Sequence, residues 1–337
     1  MKPSVLTVDL AARLRGKGVL IVGDVMLDQY LFGDAERISP EAPVPVIRLD
    51  QERCYLGGAG NVARNVTALG GKASLVGVAG DDDAGRMLQD LLRQESLDAH
   101  VPLCPGRVTT RKTRVLARNQ QMLRLDRECP CPLNEGEVRL LLDRLAPLAE
   151  AHEVLILSDY GKGLVGPSFM ESLRALLASL PRSPLLLVDP RPQNMHLYQG
   201  AFLLTPNLKE SADAVRLSIR SQEEIIAAGR AVMAGSRTHH LLMTLGPQGM
   251  ASFLATGEVW RIPTAAHAVF DVSGAGDTVI GALALGLAAG MPLLPACMLA
   301  NFAAGIVVAK VGTATATPDE LVDAVITWPV PDLEKWT

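Results

Sequence analysis

Asp271-Val272-Ser273-Gly274-Ala275-Gly276-Asp277-Thr278 packs a glycine pair, two hydroxyls and two carboxylates into one octapeptide ahead of a long apolar segment. Small residues opening a helix let backbone N–H groups converge on an anion, because no side chain blocks the approach. Asp277 falls in the predicted first helical turn, where the helix dipole favours an ionised carboxylate. An anion hole beside a carboxylate is equipment for moving a phosphoryl group onto a hydroxyl. The N–H groups of Gly274, Ala275, Gly276 and Asp277 would stabilise charge on the transferring group, and Asp277 would take the hydroxyl proton. A glycine-rich helix cap without catalytic consequence would look the same in this stretch alone.

Other segments carry compatible chemistry. Leu56-Gly57-Gly58-Ala59-Gly60-Asn61 reads as a helix start whose glycines would admit a polyol close to the backbone, with Asn61 donating and accepting at once. The bland alternative is a helix start with no ligand. Arg111, Lys112, Arg114 and Arg118 put four cations within eight residues. On a strand, Lys112, Arg114 and Arg118 share one face and could grip a phosphate dianion; a solvated edge strand guarded by charge is the alternative. Asp24, Asp28, Asp159 and Lys162 are expected at strand ends, suited to sugar hydroxyls, though any of them could cap a turn.

These residues need a scaffold, and the pattern supplies one. Short apolar runs at 19–23, 74–78, 154–157, 185–188, 202–204 and 241–244 alternate with helical stretches at 57–69, 84–94, 135–150, 168–180 and 223–233. Continuous apolar strands between helices predict an α/β fold with a mostly parallel central sheet covered on both faces. Asp24, Ser158, Asp159, Asp189 and Thr205 close those strands, at the edge where open α/β sheets bind ligands. Two β-leaning pieces, 43–49 and 111–126, break the alternation and are expected to pair as a small β-sheet lid. The organisation expected is one domain over 1–337 with lid segments at about 34–56 and 106–127.

Composition excludes several classes. The chain has 337 residues, a net charge of −4 and 4% aromatics, with a pI of about 5.9, which argues against nucleic-acid partners. Residues 278–309 contain no charge, yet Gly290, Pro292 and Pro295 divide them, so two buried helices are expected rather than a membrane span. Residues 1–15 mix charged and apolar side chains, unlike a signal peptide. The five cysteines, Cys54, Cys104, Cys129, Cys131 and Cys297, lack zinc-knuckle spacing and are expected as reduced thiols of a cytoplasmic protein. Gly16-Lys17-Gly18 lacks the full P-loop pattern.

Taken together, the two glycine motifs resemble the signatures of the ribokinase-like sugar kinases. Thr205-Pro206-Asn207-Leu208-Lys209-Glu210 resembles that family's Asn-x-x-Glu motif, although a capped helix start would read alike. Ile38-Ser39-Pro40-Glu41-Ala42-Pro43-Val44-Pro45-Val46, Arg114-Val115-Leu116-Ala117-Arg118-Asn119-Gln120-Gln121 and Leu157-Ser158-Asp159-Tyr160-Gly161-Lys162-Gly163 narrow the resemblance to the D-glycero-D-manno-heptose 7-phosphate kinases of lipopolysaccharide core synthesis. The similarity runs from about residue 18 to about 321, with Ser273 standing where threonine is usual. It implies a ribokinase-like fold and ATP-dependent phosphorylation of the anomeric hydroxyl of D-glycero-β-D-manno-heptose 7-phosphate, on the route to ADP-heptose. It implies Asp277 as base and ATP against Asn207, Leu208, Lys209, Glu210, Thr244, Gly246 and Asn301. Sugar binding would fall to Asp24, Asp28, Gly57, Gly58, Asn61, Arg114, Arg118, Asp159 and Lys162. Mg²⁺ would be ordered through water by Glu210, and a monovalent cation, K⁺, would sit by Asp271 and the Gly312-Thr313 loop. A homodimer through the lid is expected. Because the chain ends at Thr337, a stand-alone kinase is expected rather than one fused to an adenylyltransferase, as in many bacteria. A kinase of another sugar phosphate or a nucleoside, and a non-catalytic sugar-phosphate sensor, remain the alternatives.

Overall fold

The structure is a computed structural model that describes residues 9–118 and 120–337. Asn119 of the lid motif and most of the N-terminal stretch considered above lie outside the described residues. A ten-stranded sheet forms the body. Its order is Glu334–Lys335, Val259–Ile262, Met250–Phe253, His240–Thr244, Leu203–Leu204, Leu185–Asp189, Val154–Ser158, Gly18–Gly23, Lys72–Val76 and Asp98–His100. Pairing is parallel from His240–Thr244 to Asp98–His100 and antiparallel through the three strands at the other edge.

The strands are apolar throughout because both faces are buried. Val19, Ile21, Val154 and Ile156 face one core, shared with helices Ala59–Ala68, Ala275–Ala288 and Leu293–Val308. Leu20, Val22, Leu155 and Leu157 face a second core, with helices Glu135–Ala151, Pro167–Ser179 and Gln222–Ser236. The uncharged stretch is two helices, as expected, but Gly290 and Pro292 alone make the break. Pro295 lies in the first turn of Leu293–Val308, where its missing N–H costs nothing. No helix among the described residues is long and apolar enough to cross a membrane.

The lid is a separate four-stranded sheet in the order Pro45–Gly58, Val25–Ile38, Arg111–Ala117, Gln120–Arg127. The two β-leaning pieces therefore do not pair directly. Val25–Ile38 lies between them, antiparallel to one and parallel to the other, so the lid starts at Val25 rather than near 34. Asp28 is accordingly a lid-strand residue, not a strand-end residue of the body. Cys129 and Cys131 are joined in a disulfide with their Cα atoms 5.3 Å apart, against the expectation of five thiols. Their separation falls within disulfide reach. Cys54, Cys104 and Cys297 are free.

Candidate active site

The two glycine motifs meet through their helices. Asn61, in the first turn of Ala59–Ala68, donates through Nδ2 to Asp277 Oδ2 at 2.6 Å. One turn on, Asn65 Nδ2 donates to Asn61 O at 2.9 Å, and Thr278 Oγ1 donates to Asn65 Oδ1 at 2.7 Å. Asn65 was not anticipated; its four-residue spacing from Asn61 puts both on one helix face. Gly274 caps Ala275–Ala288 at φ 79°, a left-handed conformation, and a Cβ there would stand 2.9 Å from Asn61 Nδ2. Gly276 lies inside the helix, and a Cβ on it would meet nothing within 4 Å. The glycine that the backbone conformation demands is thus Gly274.

Asp277 is 6% exposed. Tyr160 Oη donates to its Oδ1. Burial pushes its pKa up to about 6, against the restraining hydrogen bonds from Tyr160 and Asn61. It borders a cavity of about 580 Å³ shared with Asp189, Arg191, Asn207, Glu210 and Gly276. An adjoining pocket of about 290 Å³ is more apolar, lined in part by Met250, Ala266, Val279, Ala304 and Val308. Thr244 and Gly246 border both, and Leu208 and Lys209 the first. Asn301 lines the second, but its amide is engaged, donating to Pro263 O at 2.7 Å and accepting from Ala265 N at 3.4 Å. It holds the 263–265 segment that walls the pocket.

Asn207 and Glu210 form a capping box: Glu210 N donates to Asn207 Oδ1 at 2.8 Å, and Asn207 N to Glu210 Oε2 at 2.9 Å. Glu210 Oε1 is left 3.9 Å from Arg191. Burial raises the Glu210 pKa. Asp189 is driven well above the usual carboxylate range by burial and by the charges of Asp277 and Glu210. The run Asp189-Pro190-Arg191 at a strand end was the available signal for Arg191.

Two of the expected sugar-binding carboxylates serve the chain itself. Asp24 accepts from the backbone N–H groups of Tyr160, Lys162 and Leu164 at 2.9–3.1 Å. Asp159 accepts from Gly161 N, Asn194 Nδ2 and Tyr198 Oη at 2.6–2.7 Å. Both are buried, and together they fix the loop that carries Tyr160 and Lys162. The Gly57-Gly58 pair also makes room for the protein itself. A Cβ on Gly57 would come 2.3 Å from Asp28 Oδ2, and one on Gly58 2.3 Å from Asp24 O.

On the lid, strand register aligns Lys112 with Asp28 and Asp126, and Arg114 with Tyr30 and Arg124. Arg114 Nη1 donates to Asp28 Oδ1 at 2.6 Å and stacks over Tyr30. Lys162 Nζ pairs with Glu128 Oε2 at 2.7 Å. Burial lowers the Lys112 pKa, against the pull of Asp28. Arg118 does not join this face. The strand ends at Ala117, and Arg118 turns at φ 47° with its side chain 77% exposed, 3.6 Å from Asp34. Arg124, on the facing strand, was missed because register between strands is not written in a local pattern. Asp271 accepts from Ser273 N at 2.9 Å and Gly312 N at 3.0 Å, which brings it to the Gly312 loop.

The family model described as pfkB family carbohydrate kinase matches residues 17–320. The bifunctional protein HldE of Paramagnetospirillum magneticum is 44% identical over 319 residues, covering 94% of this chain and 65% of its own length. HldE of Rhodospirillum rubrum is 44% identical over 328 residues, covering 96% and 65%. The chain thus spans just under two thirds of these curated relatives. Among solved structures, phosphofructokinase-2 from Escherichia coli in complex with potassium superposes with a TM-score of 0.76 at 21% identity, covering 92% of this chain and 98% of that one. Arabidopsis thaliana ribokinase complexed with ribose and ATP superposes at 0.69 and 17%, covering 92% and 99%. These likenesses establish a ribokinase-like fold.

Proposed function

The chain belongs to the pfkB family of carbohydrate kinases, and from that premise we propose that it transfers the γ-phosphoryl group of ATP to the anomeric hydroxyl of D-glycero-β-D-manno-heptose 7-phosphate, giving the 1,7-bisphosphate. The observation that carries this reading is the position of Asp277, between the cavity of about 580 Å³ at a helix N-terminus and the cationic lid strand. ATP phosphates would lie in the cavity against the N–H groups opening Ala275–Ala288, with the base in the adjoining apolar pocket. The sugar would lie under the lid, its phosphate toward Lys112, Arg114, Arg124 and Lys162. Asp277 accepts the hydroxyl proton as the oxygen attacks phosphorus, and the N–H groups stabilise charge on the transferring group.

Mg²⁺ suits the nucleotide side. Asp189 and Glu210 are two carboxylates whose acidity is depressed by burial, with the charges of Asp277 and Glu210 adding to the effect on Asp189, an arrangement relieved by a hard cation. Among the described residues no cluster of three or more ligating side chains encloses a metal, so water and phosphate oxygens would complete its shell. When bound, the ion would neutralise phosphate charge. A monovalent cation near Asp271 and the Gly312 loop belongs to the same proposal, supported by the potassium complex of the phosphofructokinase neighbour. So does a homodimer through the lid: Ile38, Val44, Leu49, Met122, Leu123 and Leu125 are exposed there, more apolar surface than a solvated edge needs. The lipopolysaccharide role and a cytoplasmic site are likewise proposed.

The test is ATP turnover against a panel of sugar phosphates, with the phosphorylated position read by phosphorus NMR. The heptose 7-phosphate should give the highest kcat/KM, with a new anomeric phosphate. Preference for a different sugar phosphate would reassign the substrate, and absence of turnover with all of them would favour the sensor alternative.

A further inference from the structure

We propose that Tyr160 is a positioning residue for Asp277: its hydroxyl fixes the carboxylate in one orientation and keeps it ionised, ready to accept the proton of the sugar hydroxyl. This rests on the reading of Asp277 as base. Several observations converge on Tyr160. Its backbone is pinned, with its N–H donating to Asp24 Oδ2 at 2.9 Å and the next residue's N–H donating to Asp159 at 2.7 Å. Its ring is met by two cations, one from the lid and one from the nucleotide side of the site. Lys112 Nζ of the lid stands 5.6 Å from the centroid, and the Arg191 guanidinium of the nucleotide side 5.4 Å. Its hydroxyl ends on Asp277 Oδ1, while Asn61 Nδ2 takes Oδ2. Two fixed donors on two oxygens leave the carboxylate one plane to lie in. A carboxylate accepts more than one hydrogen bond per oxygen, so the sugar hydroxyl can still donate to it.

The groups facing Asp277 decide what the tyrosine must do. Asn61 comes from the helix Ala59–Ala68, Asp28 and Lys112 from the lid, and Tyr160 from its loop. Asp189 adds a further carboxylate whose own acidity is depressed by Asp277. Burial and Asp28 favour protonated Asp277; Tyr160, Asn61 and Lys112 favour the ionised form. Tyr160 itself stays a donor, because burial and the Asp277 charge push its pKa well above the ordinary tyrosine value. A neutral hydroxyl can only stabilise the anion by donating, so its removal shifts the balance toward the acid.

The experiment uses full-length protein labelled with ¹³C at aspartate carboxyls, without ligand, with the Asp277→Asn spectrum identifying the Asp277 resonance. In Tyr160→Phe that resonance should titrate about one pH unit higher than in the parent, the scale of one lost donor to a charged acceptor. Incorporating a ring-fluorinated tyrosine at 160, a stronger donor of the same shape, should move it lower. The acidic limb of kcat/KM should follow both shifts while the Kd for ATP stays put. Superposable titrations in all three proteins would overturn the proposal and make Tyr160 packing only. A shifted titration in an enzyme with no sugar kinase activity would support the positioning role and refute the functional reading, so the two failures are separable.

Discussion

The nucleotide half and the sugar half of the cleft are electrostatically incomplete in opposite senses. On the nucleotide side Asp189 and Glu210 are driven toward protonation by burial, and Asp189 further by neighbouring carboxylates. On the sugar side Lys112 is driven toward neutrality by burial, with Arg124 and Lys162 adding like charge nearby. The first half gathers carboxylates and the second gathers cations, each of Arg114, Arg124 and Lys162 being paired with a carboxylate, Asp28, Asp126 and Glu128. Each excess matches a ligand of the proposed reaction, Mg²⁺ with ATP on one side and a sugar phosphate on the other. Asp277 lies at the seam, held by hydrogen bonds from Tyr160 and Asn61 while Asp28 and Lys112 of the lid act on it in opposite senses. Chemistry should therefore be most sensitive at the seam, and binding at the two flanks.

The largest expected effect is at the seam. Asp277→Asn should fold and bind ATP but lose turnover by about two to four orders of magnitude, the range of general-base catalysis. Near-normal kcat would remove Asp277 from the mechanism. The same variant should alter the pH dependence of stability, with a definite sign. Asp277 titrates at about 6 in the fold against 3.8 for an unperturbed aspartate. Between those values the native state holds the extra proton, so this group's contribution to stability falls as pH rises from about 4 to 6 and is flat above. The full difference is about 3 kcal/mol. Activity should rise through that window while stability falls. Subtracting the Asp277→Asn unfolding profile from the parent's isolates the slope, and equal profiles would contradict the raised pKa.

Next in size is Gly276→Val. A Cβ at 276 would meet nothing within 4 Å, so Tm should hold. If phosphate approaches the backbone there, the side chain occupies its place, and transfer should drop by about two to three orders of magnitude, comparable to losing an anion-hole donor. Gly274→Val is the contrasting case, since φ 79° and Asn61 both oppose it, so it should lose Tm as well. Full activity in Gly276→Val would move the phosphate elsewhere.

How much of this was legible follows from the range of each signal. The body of the fold was readable because buried parallel strands are unbroken apolar runs, and their polar ends marked the ligand edge. Asp277, Asn207 and Glu210 were readable as motifs, and the capped helix start that the sequence also allowed for the last two is present in the structure. What was hidden was non-local. Asp24 and Asp159 read as ligands for hydroxyls, and a sequence does not reveal that Tyr160, Gly161, Lys162, Leu164, Asn194 and Tyr198 also hydrogen-bond them. Val25–Ile38 was not recognised as a lid strand, since its apolar start is continuous with the strand before it. Tyr160 matters through a partner 117 residues away, Asp277, and no local pattern carries such a pairing.

The lid supplies the next test of the flanks. Arg114 is already paired with Asp28, so a phosphate must compete for it or share it. Arg114→Ala should raise KM for the heptose phosphate by about one to two decades, the worth of a charge-assisted pair. KM for ATP should hardly move. Discrimination against unphosphorylated heptose should shrink in parallel. Equal changes in both KM values would mean that Arg114 supports the lid fold and not the substrate.

The smallest effect, and the sharpest check on the lid geometry, is Arg118→Ala. Strand periodicity alone puts Arg118 on the face of Lys112 and Arg114 and predicts a loss like that of Arg114→Ala. The structure ends the strand at Ala117 and turns Arg118 outward, leaving a 3.6 Å contact to Asp34 with both side chains open to solvent. Exposed pairs of this kind contribute between zero and about 1 kcal/mol. The variant should therefore keep KM for both substrates within about two-fold, a change of about 0.4 kcal/mol, with Tm shifted by a degree or two at most. A ten-fold rise in sugar-phosphate KM would restore Arg118 to the binding face. It would require the backbone at Arg118 to reorganise when substrate arrives, and the lid would then be a moving part rather than a fixed wall.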